Sequence, residues 1–304
     1  MGVGGIQVTD AAAIASILAD KTQHWDYIDE DVLGTLANNQ GMAIVTIYLG
    51  TDAESKAMLA NIYKLVSDIK VRNAQGTGMD MGSLTITQEI VDDESWLHEW
   101  KKHFHPITIG RVLIVPEWEA DSHEGEVKFV IDPGSAFGTG QHATTRLCIE
   151  ALQERLAAGD TVLDIGCGSG ILSIISLLLG AQKAVGCDID LTAVEVTRKN
   201  AQLNQISQCA LHVHVGDILN NKQLHGELSQ QKYELITANI VADVIIELSA
   251  FTAPWLAPGG RFICSGIIDG REAEVEQALL SQGFTILERH KDGDWHSFIT
   301  NVDE

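Results

Sequence analysis

TVLDIGCGSGILSIISLL, residues 161–178, reads as a buried strand, a tight turn and a helix. Thr161 to Ile165 are mostly β-branched or apolar, the composition of a central parallel strand. Gly166, Gly168 and Gly170 then form a turn with no Cβ in the way. Backbone N–H groups and the start of a helix can therefore come close to a ligand. Ile171 to Leu179 supplies an apolar helix to pack on the sheet. A second strand, AVGCD at 184–188, ends in Asp188. An acid at the tip of the second strand is placed to accept hydrogen bonds from ribose hydroxyls.

This loop and acid fit either a nicotinamide dinucleotide or S-adenosyl-L-methionine. Two details favour the second: Asp164 at the end of the first strand, and glycines spaced G-x-G-x-G rather than G-x-G-x-x-G. The alternation continues downstream. A helix is predicted at 190–204, with Asp190 near its N-terminus, and a strand at 210–215 leading to Gly216 and Asp217. A strand at 233–238 leads to Asn239, followed by a helix near 241–256 and a turn and strand at 256–268. The tail reads as a helix and a final antiparallel hairpin. Repeated strand–helix units predict an α/β, doubly wound, mostly parallel sheet with its ligand at the strands' C-terminal ends. Asp164, Asp188, Asp217 and Asn239 all fall at such ends and are predicted to share one site.

The chain has 304 residues, room for two domains, and a net charge of −22. Such a charge opposes general binding of nucleic acid and attracts a basic partner. No leader and no membrane span are expected. The five cysteines lie mostly in apolar runs and form no C-x-x-C, which suits reduced core residues of a cytoplasmic protein. The histidines show no metal spacing. His212 and His214 share one face of a strand, with no acid partner evident, and no metal is expected.

The N-terminal region offers strand candidates at 4–10, 41–50 and 82–91 and a helix at 53–70. In that helix Met58, Leu59, Ile62, Leu65, Val66 and Ile69 recur at helical spacing. Residues 11–20 suit a short helix. Residues 92–105 suit a bridging helix, with Trp96 and Trp100 on one face.

Further stretches make the reading specific: DPGSAFGTGQHATT at 132–145, DIGCGSGILSI at 164–174, GCDID at 186–190, TANI at 237–240 and WLHEWKKHFHPITIG at 96–110. With these, the chain resembles the class I S-adenosylmethionine-dependent methyltransferases. More narrowly, it resembles the PrmA family, which methylates the large-subunit ribosomal protein eleven. The resemblance implies a cofactor site of Thr145, Gly166, Asp188 and Asn239, with Phe137, Gly138, Thr139 and Gly140 against the cofactor and Gly168 and Asp217 beside it. It implies methylation of lysine side chains and of an N-terminal amine, with Asn239 accepting hydrogen bonds from the amine. The TANI segment lacks the prolines and aromatic of NPPY-type motifs, which clamp flat amines, so a flexible aliphatic amine is favoured. Gln141 and Ala143 depart from the family's usual pattern. His142 between them is expected to organise the loop rather than shuttle protons.

The expected division is a substrate-recognition domain over 1–91, a linker helix and connection over 92–125, and a Rossmann-like methyltransferase domain over 126–304. The first domain is expected to be ferredoxin-like, with its opening strand and helix missing before Gly2. Three alternatives stay open: a related methyltransferase for another protein or a small amine, a nicotinamide-dependent oxidoreductase, and a cofactor-binding protein without turnover.

Overall fold

The structure, a computed structural model, describes residues 5–10, 43–49, 53–74, 83–88, 104–132 and 138–302. The chain divides into two units, Met1–His98 and Glu99–Glu304. In the first unit β1 (Gly5–Asp10) pairs antiparallel with β2 (Ala43–Tyr48), Gly5 opposite Tyr48 and Asp10 opposite Ala43. Helix α1 (Ala53–Ala74) follows, running past the expected end at residue 70. Met58, Leu59, Ile62, Val66 and Ile69 form its half-buried stripe, while Leu65 points off it and is exposed. The strand expected at 82–91 is not formed at 83–88, the described part of that stretch. Leu84 there has φ +48°, a left-handed backbone that breaks an extended run. The expected helix at 11–20 and the bridging helix over 92–103 lie outside the described residues. Phe104 and His105, expected to end that bridge, are in no helix.

The second unit is built on a seven-stranded sheet. Its strands are β6 (Thr161–Ile165), β7 (Lys183–Asp188), β8 (Leu211–Val215), β9 (Tyr233–Asn239), β10 (Leu256–Ile268), β11 (Phe284–Asp292) and β12 (Trp295–Val302). Their order is β11-β12-β10-β9-β6-β7-β8. The five strands from β10 to β8 run parallel, and β12 and β11 close the sheet as an antiparallel hairpin. Connecting the strands are α2 (Ala143–Arg155), leading into β6, then α3 (Ile171–Leu178), α4 (Leu191–Leu203), α5 (Lys222–Leu228), α6 (Ala242–Thr252) and α7 (Glu272–Ser281). The doubly wound sheet is thus as expected. Apolar runs such as that in β6 are buried on both faces because helices cover both sides. One core, with Ile149, Leu152, Ile174 and Ile175, fills one face; the other gathers Leu163, Tyr233, Ile245 and Phe262.

The described part of the stretch 92–125, residues 104–125, lies in the second unit. Strands β3 (Ile107–Ile109), β4 (Val112–Pro116) and β5 (Val127–Ile131) make a three-stranded sheet. Phe104, shortly before β3, and Ile109, Val112 and Ile114 of the sheet are buried in the first core. Burying these four side chains contributes on the order of 1.5–3 kcal/mol each, which ties the segment to the unit.

Candidate cofactor and acceptor site

From β6 the chain steps outward through β7 and β8, then returns to place β9 on the other side of β6. The strand order reverses there, and the connections leaving the tips of β6 and β9 diverge. A crevice at such a switch point is where open α/β sheets bind ligands. Gly166 follows β6, and Asn239 ends β9.

The glycine loop is shaped by what cannot fit around it. Gly166, Gly168 and Gly170 have φ of +74°, +53° and +80°. A Cβ on Gly166 would stand 2.5 Å from Ile240 Cγ2, and one on Gly170 would stand 2.6 Å from Thr197 Cγ2. Asp188 pins the loop from β7. Its Oδ2 accepts from Gly168 N at 2.9 Å, and its Oδ1 accepts from Asp190 N at 3.0 Å. Helix α4 pins it from below: Thr197 Oγ1 donates to Gly168 O at 2.8 Å and Asn200 Nδ2 donates to Ser169 O at 2.8 Å. Asn200 Oδ1 also accepts from Asp132 N at 2.9 Å. One turn on, Asn204 pairs with both backbone groups of Val130, so two side chains act as a strand edge for β5.

Asp164 does not join the rim as its place at a strand end suggested. It is 1% exposed and turned under α3. It accepts from Ser173 N at 3.1 Å, from Ser173 Oγ at 2.7 Å and from Thr237 Oγ1 at 2.8 Å. Burial pushes its carboxyl above the usual range, and those hydrogen bonds pull it back. The residue braces the β6–β9 pair rather than facing a ligand.

The second motif meets the first directly. Ser169 Oγ donates to Gly138 O at 2.6 Å. Gly138 and Gly140 have φ of +96° and +89°. A Cβ on Gly140 would stand 2.4 Å from Ile114 Cδ1. Thr139 lies between them, half-buried, and Phe137 lies outside the described residues. The motif then runs into α2, with His142 as N-cap. His142 Nδ1 lies 2.8 Å from Thr144 Oγ1 and accepts from Thr144 N at 3.4 Å. Thr145, fully buried in the first turn, accepts from Asn239 Nδ2 at 3.2 Å. Thr145 of this stretch thus meets Asn239 of TANI at the tip of β9.

Asp217, after β8, spends its carboxylate on its own turn. Oδ1 accepts from Leu219 N at 2.9 Å and Oδ2 from Asn220 Nδ2 at 2.6 Å. The Asn220 amide holds it below the usual carboxylate range.

The sequence reading missed an apolar fringe on the rim. Ile189 and Leu191, just beyond Asp188, are 70% and 56% exposed, and Val241, two residues after Asn239, is 45% exposed. Large apolar side chains exposed just past strand ends suit a ligand that covers them. The sign available in the sequence was an isoleucine directly after the strand-end acid. The reading also missed partners among the histidines: His214 Nδ1 lies 3.7 Å from Glu227 Oε2 on α5, an acid that spacing along the chain did not reveal. Asp269, Glu272 and His296 come together with a geometry a metal could use, but Lys291 Nζ already sits 2.6 Å from Asp269.

The profile of the family described as ribosomal protein L11 methyltransferase (PrmA) matches residues 4–302. The chain belongs to this family. Relatives bearing the same name include one from Agathobacter rectalis, 36% identical over 97% of this chain and 90% of the relative. Another, from Lachnospira eligens, is 36% identical with the same coverage. Among solved structures, a ribosomal protein L11 methylase from Lactobacillus delbrueckii subsp. bulgaricus aligns with a TM-score of 0.59 at 30% identity. That alignment covers 66% of this chain and all of the neighbour. Of the motifs quoted from the sequence, DIGCGSGILSI, GCDID and TANI lie at the C-terminal ends of β6, β7 and β9, and the described residues 138–145 reach the end of β9 through Thr145.

Proposed function

We propose that this chain transfers methyl groups from S-adenosyl-L-methionine to amines of the large-subunit ribosomal protein eleven, its lysine side chains and its N-terminal amine. The observation that carries the reading is Asn239 at the switch point. Its amide nitrogen is committed to Thr145, which leaves Oδ1 as the acceptor, with no hydrogen-bond partner among the described residues.

The crevice suits the cofactor on its own chemistry. The glycine loop offers a surface where a single Cβ would collide. Asp188 offers carboxylate oxygens to ribose hydroxyls, and Ile189 and Leu191 offer apolar cover to a flat base. Gly166, Gly168, Gly138, Thr139, Gly140 and Thr145 would line the cofactor, with Phe137 and Asp217 alongside. When bound, the cofactor supplies a methyl group activated on a positively charged sulfur.

The chain's own task is to present a neutral amine in line. A lysine titrates near ~10.4, so at about pH 7.4 its neutral form costs roughly 4 kcal/mol. A carbonyl accepting one N–H fixes the direction of the lone pair, and an apolar wall such as Val241 disfavours the ammonium form. The departing proton can leave to water, so no strong base is required. Residues 1–91 are proposed to recognise the protein substrate, and the cytoplasm, where that substrate is made, is the proposed location. No helix among the described residues is long and apolar enough to cross a membrane. The excess of acidic residues argues for a basic protein as partner and against direct contact with nucleic acid.

The test is intact-mass analysis of purified ribosomal protein eleven incubated with this chain and S-adenosyl-L-methionine. Stepwise methyl additions, lost on Asp188→Ala, are expected. An unchanged mass with cofactor binding intact would refute the assigned substrate.

A further inference from the structure

A histidine is an unusual helix cap; serine, threonine, aspartate and asparagine are preferred because their side-chain oxygens accept from free N–H groups. At the start of α2 a ring nitrogen does that work. His142 Nδ1 accepts from Thr144 N, while the His142 carbonyl accepts from Thr145 N at 3.1 Å and Arg146 N at 3.2 Å. The imidazole is fixed from the far side by Trp295 of β12, in an edge contact with ring centroids 4.7 Å apart and planes at 70°. Two charged groups face it. Arg146, one turn along α2, is paired by Asp292 of β11, which receives its Nε at 3.0 Å and its Nη2 at 2.5 Å. That pair staples α2 to the terminal hairpin, with Arg146 opposing and Asp292, more weakly, favouring a charge on the imidazole.

Only a neutral imidazole has a lone pair at Nδ1. An imidazolium would present N–H to the Thr144 N–H, keep only a reversed bond from Nδ1 to Thr144 Oγ1, 2.8 Å away, and place positive charge at the positive end of the helix. The turn that this cap stabilises carries Thr145, the residue that accepts from the Asn239 amide.

We infer that His142 is a positioning residue: in its neutral form it holds the first turn of α2, and through Thr145 the Asn239 amide, in the arrangement that receives the substrate amine, and protonation releases that arrangement. This deepens the proposed function and rests on it. Burial, and next Arg146, hold the imidazole below its ordinary titration range, so the cap is intact at neutral pH.

The experiment measures kcat and KM for methylation of ribosomal protein eleven between about pH 5.5 and 8.5 for the wild type, His142→Asn and His142→Ala. Asparagine caps helices and does not titrate. In the wild type, log kcat/KM should fall with a slope near one from amine protonation, steepening toward two on the acid side. His142→Asn should keep the rate at the alkaline end and lose the steepening. His142→Ala should lower kcat roughly fivefold throughout, the loss expected of a missing cap, with little change in the KM for S-adenosyl-L-methionine. An asparagine variant that keeps the steeper acid limb overturns the inference. One that is inactive at every pH also overturns it, since the ring itself would then be required. No methylation by the wild type at any pH would instead overturn the proposed function. In that case tryptophan fluorescence judges the cap alone: a quenching transition below about pH 6.5, present in the wild type and absent in His142→Asn, supports it, and equal curves refute it.

Discussion

Asp164, one residue before the end of β6, and Asp188, at the end of β7, look equivalent in sequence, yet they do different work. Asp188 presents a half-exposed carboxylate at the crevice and holds Gly168 N. Its replacement by alanine should weaken cofactor binding by about tenfold or more, since charged hydrogen bonds contribute about 1.5–3 kcal/mol each. Isothermal titration with S-adenosylhomocysteine checks this. Asp164→Ala instead strands three buried donors from Ser173 and Thr237. It should cost about 3 kcal/mol of stability, read as a lower urea midpoint, and weaken the cofactor less than Asp188→Ala does. Strand-end position was legible in the sequence, but the direction of the side chain was not, because it depends on a serine donor on α3 and a threonine on β9. His142 adds a pH dependence of its own. Its folded-state titration lies below the ordinary value, so the unfolded chain binds more protons. Stability from this group is present above about pH 6.5 and is lost as pH falls through the range beneath it.

At the scale of elements, the alternation of strands and helices was legible because both faces of the sheet are covered, so apolar runs mark the strands, with glycine turns after β6 and β8. What escaped was contact between distant elements. Nothing in the glycine pattern announces that Gly266 matters to Asn239. The ladder between β10 and β12 shifts register between Ser265 and Ile267. Gly266 sits in that bulge with φ +93°, and a Cβ there would stand 2.2 Å from the Ile240 carbonyl oxygen. Ile240 N in turn donates to Ser265 O at 3.0 Å. The bulge therefore sets where the tip of β9 lies. Gly266→Ala should push that tip outward, costing about 1–3 kcal/mol in thermal unfolding and lowering kcat more than it raises the KM for cofactor. At the described residues 83–88 the expected strand is absent for a related reason: the alternating Leu84, Thr85, Ile86 and Thr87 satisfy a strand pattern, but pattern does not fix the φ of Leu84.

For the whole molecule, the charge of −22 would speed the arrival of a basic protein substrate. The kcat/KM for ribosomal protein eleven should fall several-fold between about 0.05 and 0.5 M salt, while a small-amine acceptor shows little change. Reactivity toward thiol reagents should be equally lopsided. Cys148, Cys167, Cys187 and Cys264 are buried, and burial pushes Cys187 and Cys264 up to about 12. Cys209 alone is exposed. Native protein should therefore take one equivalent of a thiol reagent and unfolded protein five.

The side chains of Asn200 and Asn204 have a consequence for anyone wishing to move this chemistry elsewhere. Asn200 holds Asp132 N, where the DPGSAFGTG stretch begins, and Ser169 O inside the glycine loop. The two signatures are thus hinged on a helix that belongs to neither. A transplant carrying both signatures into another α/β scaffold would import the words without the grammar; the helix at Leu191–Leu203, with its asparagine and the one that caps its end, has to travel with them.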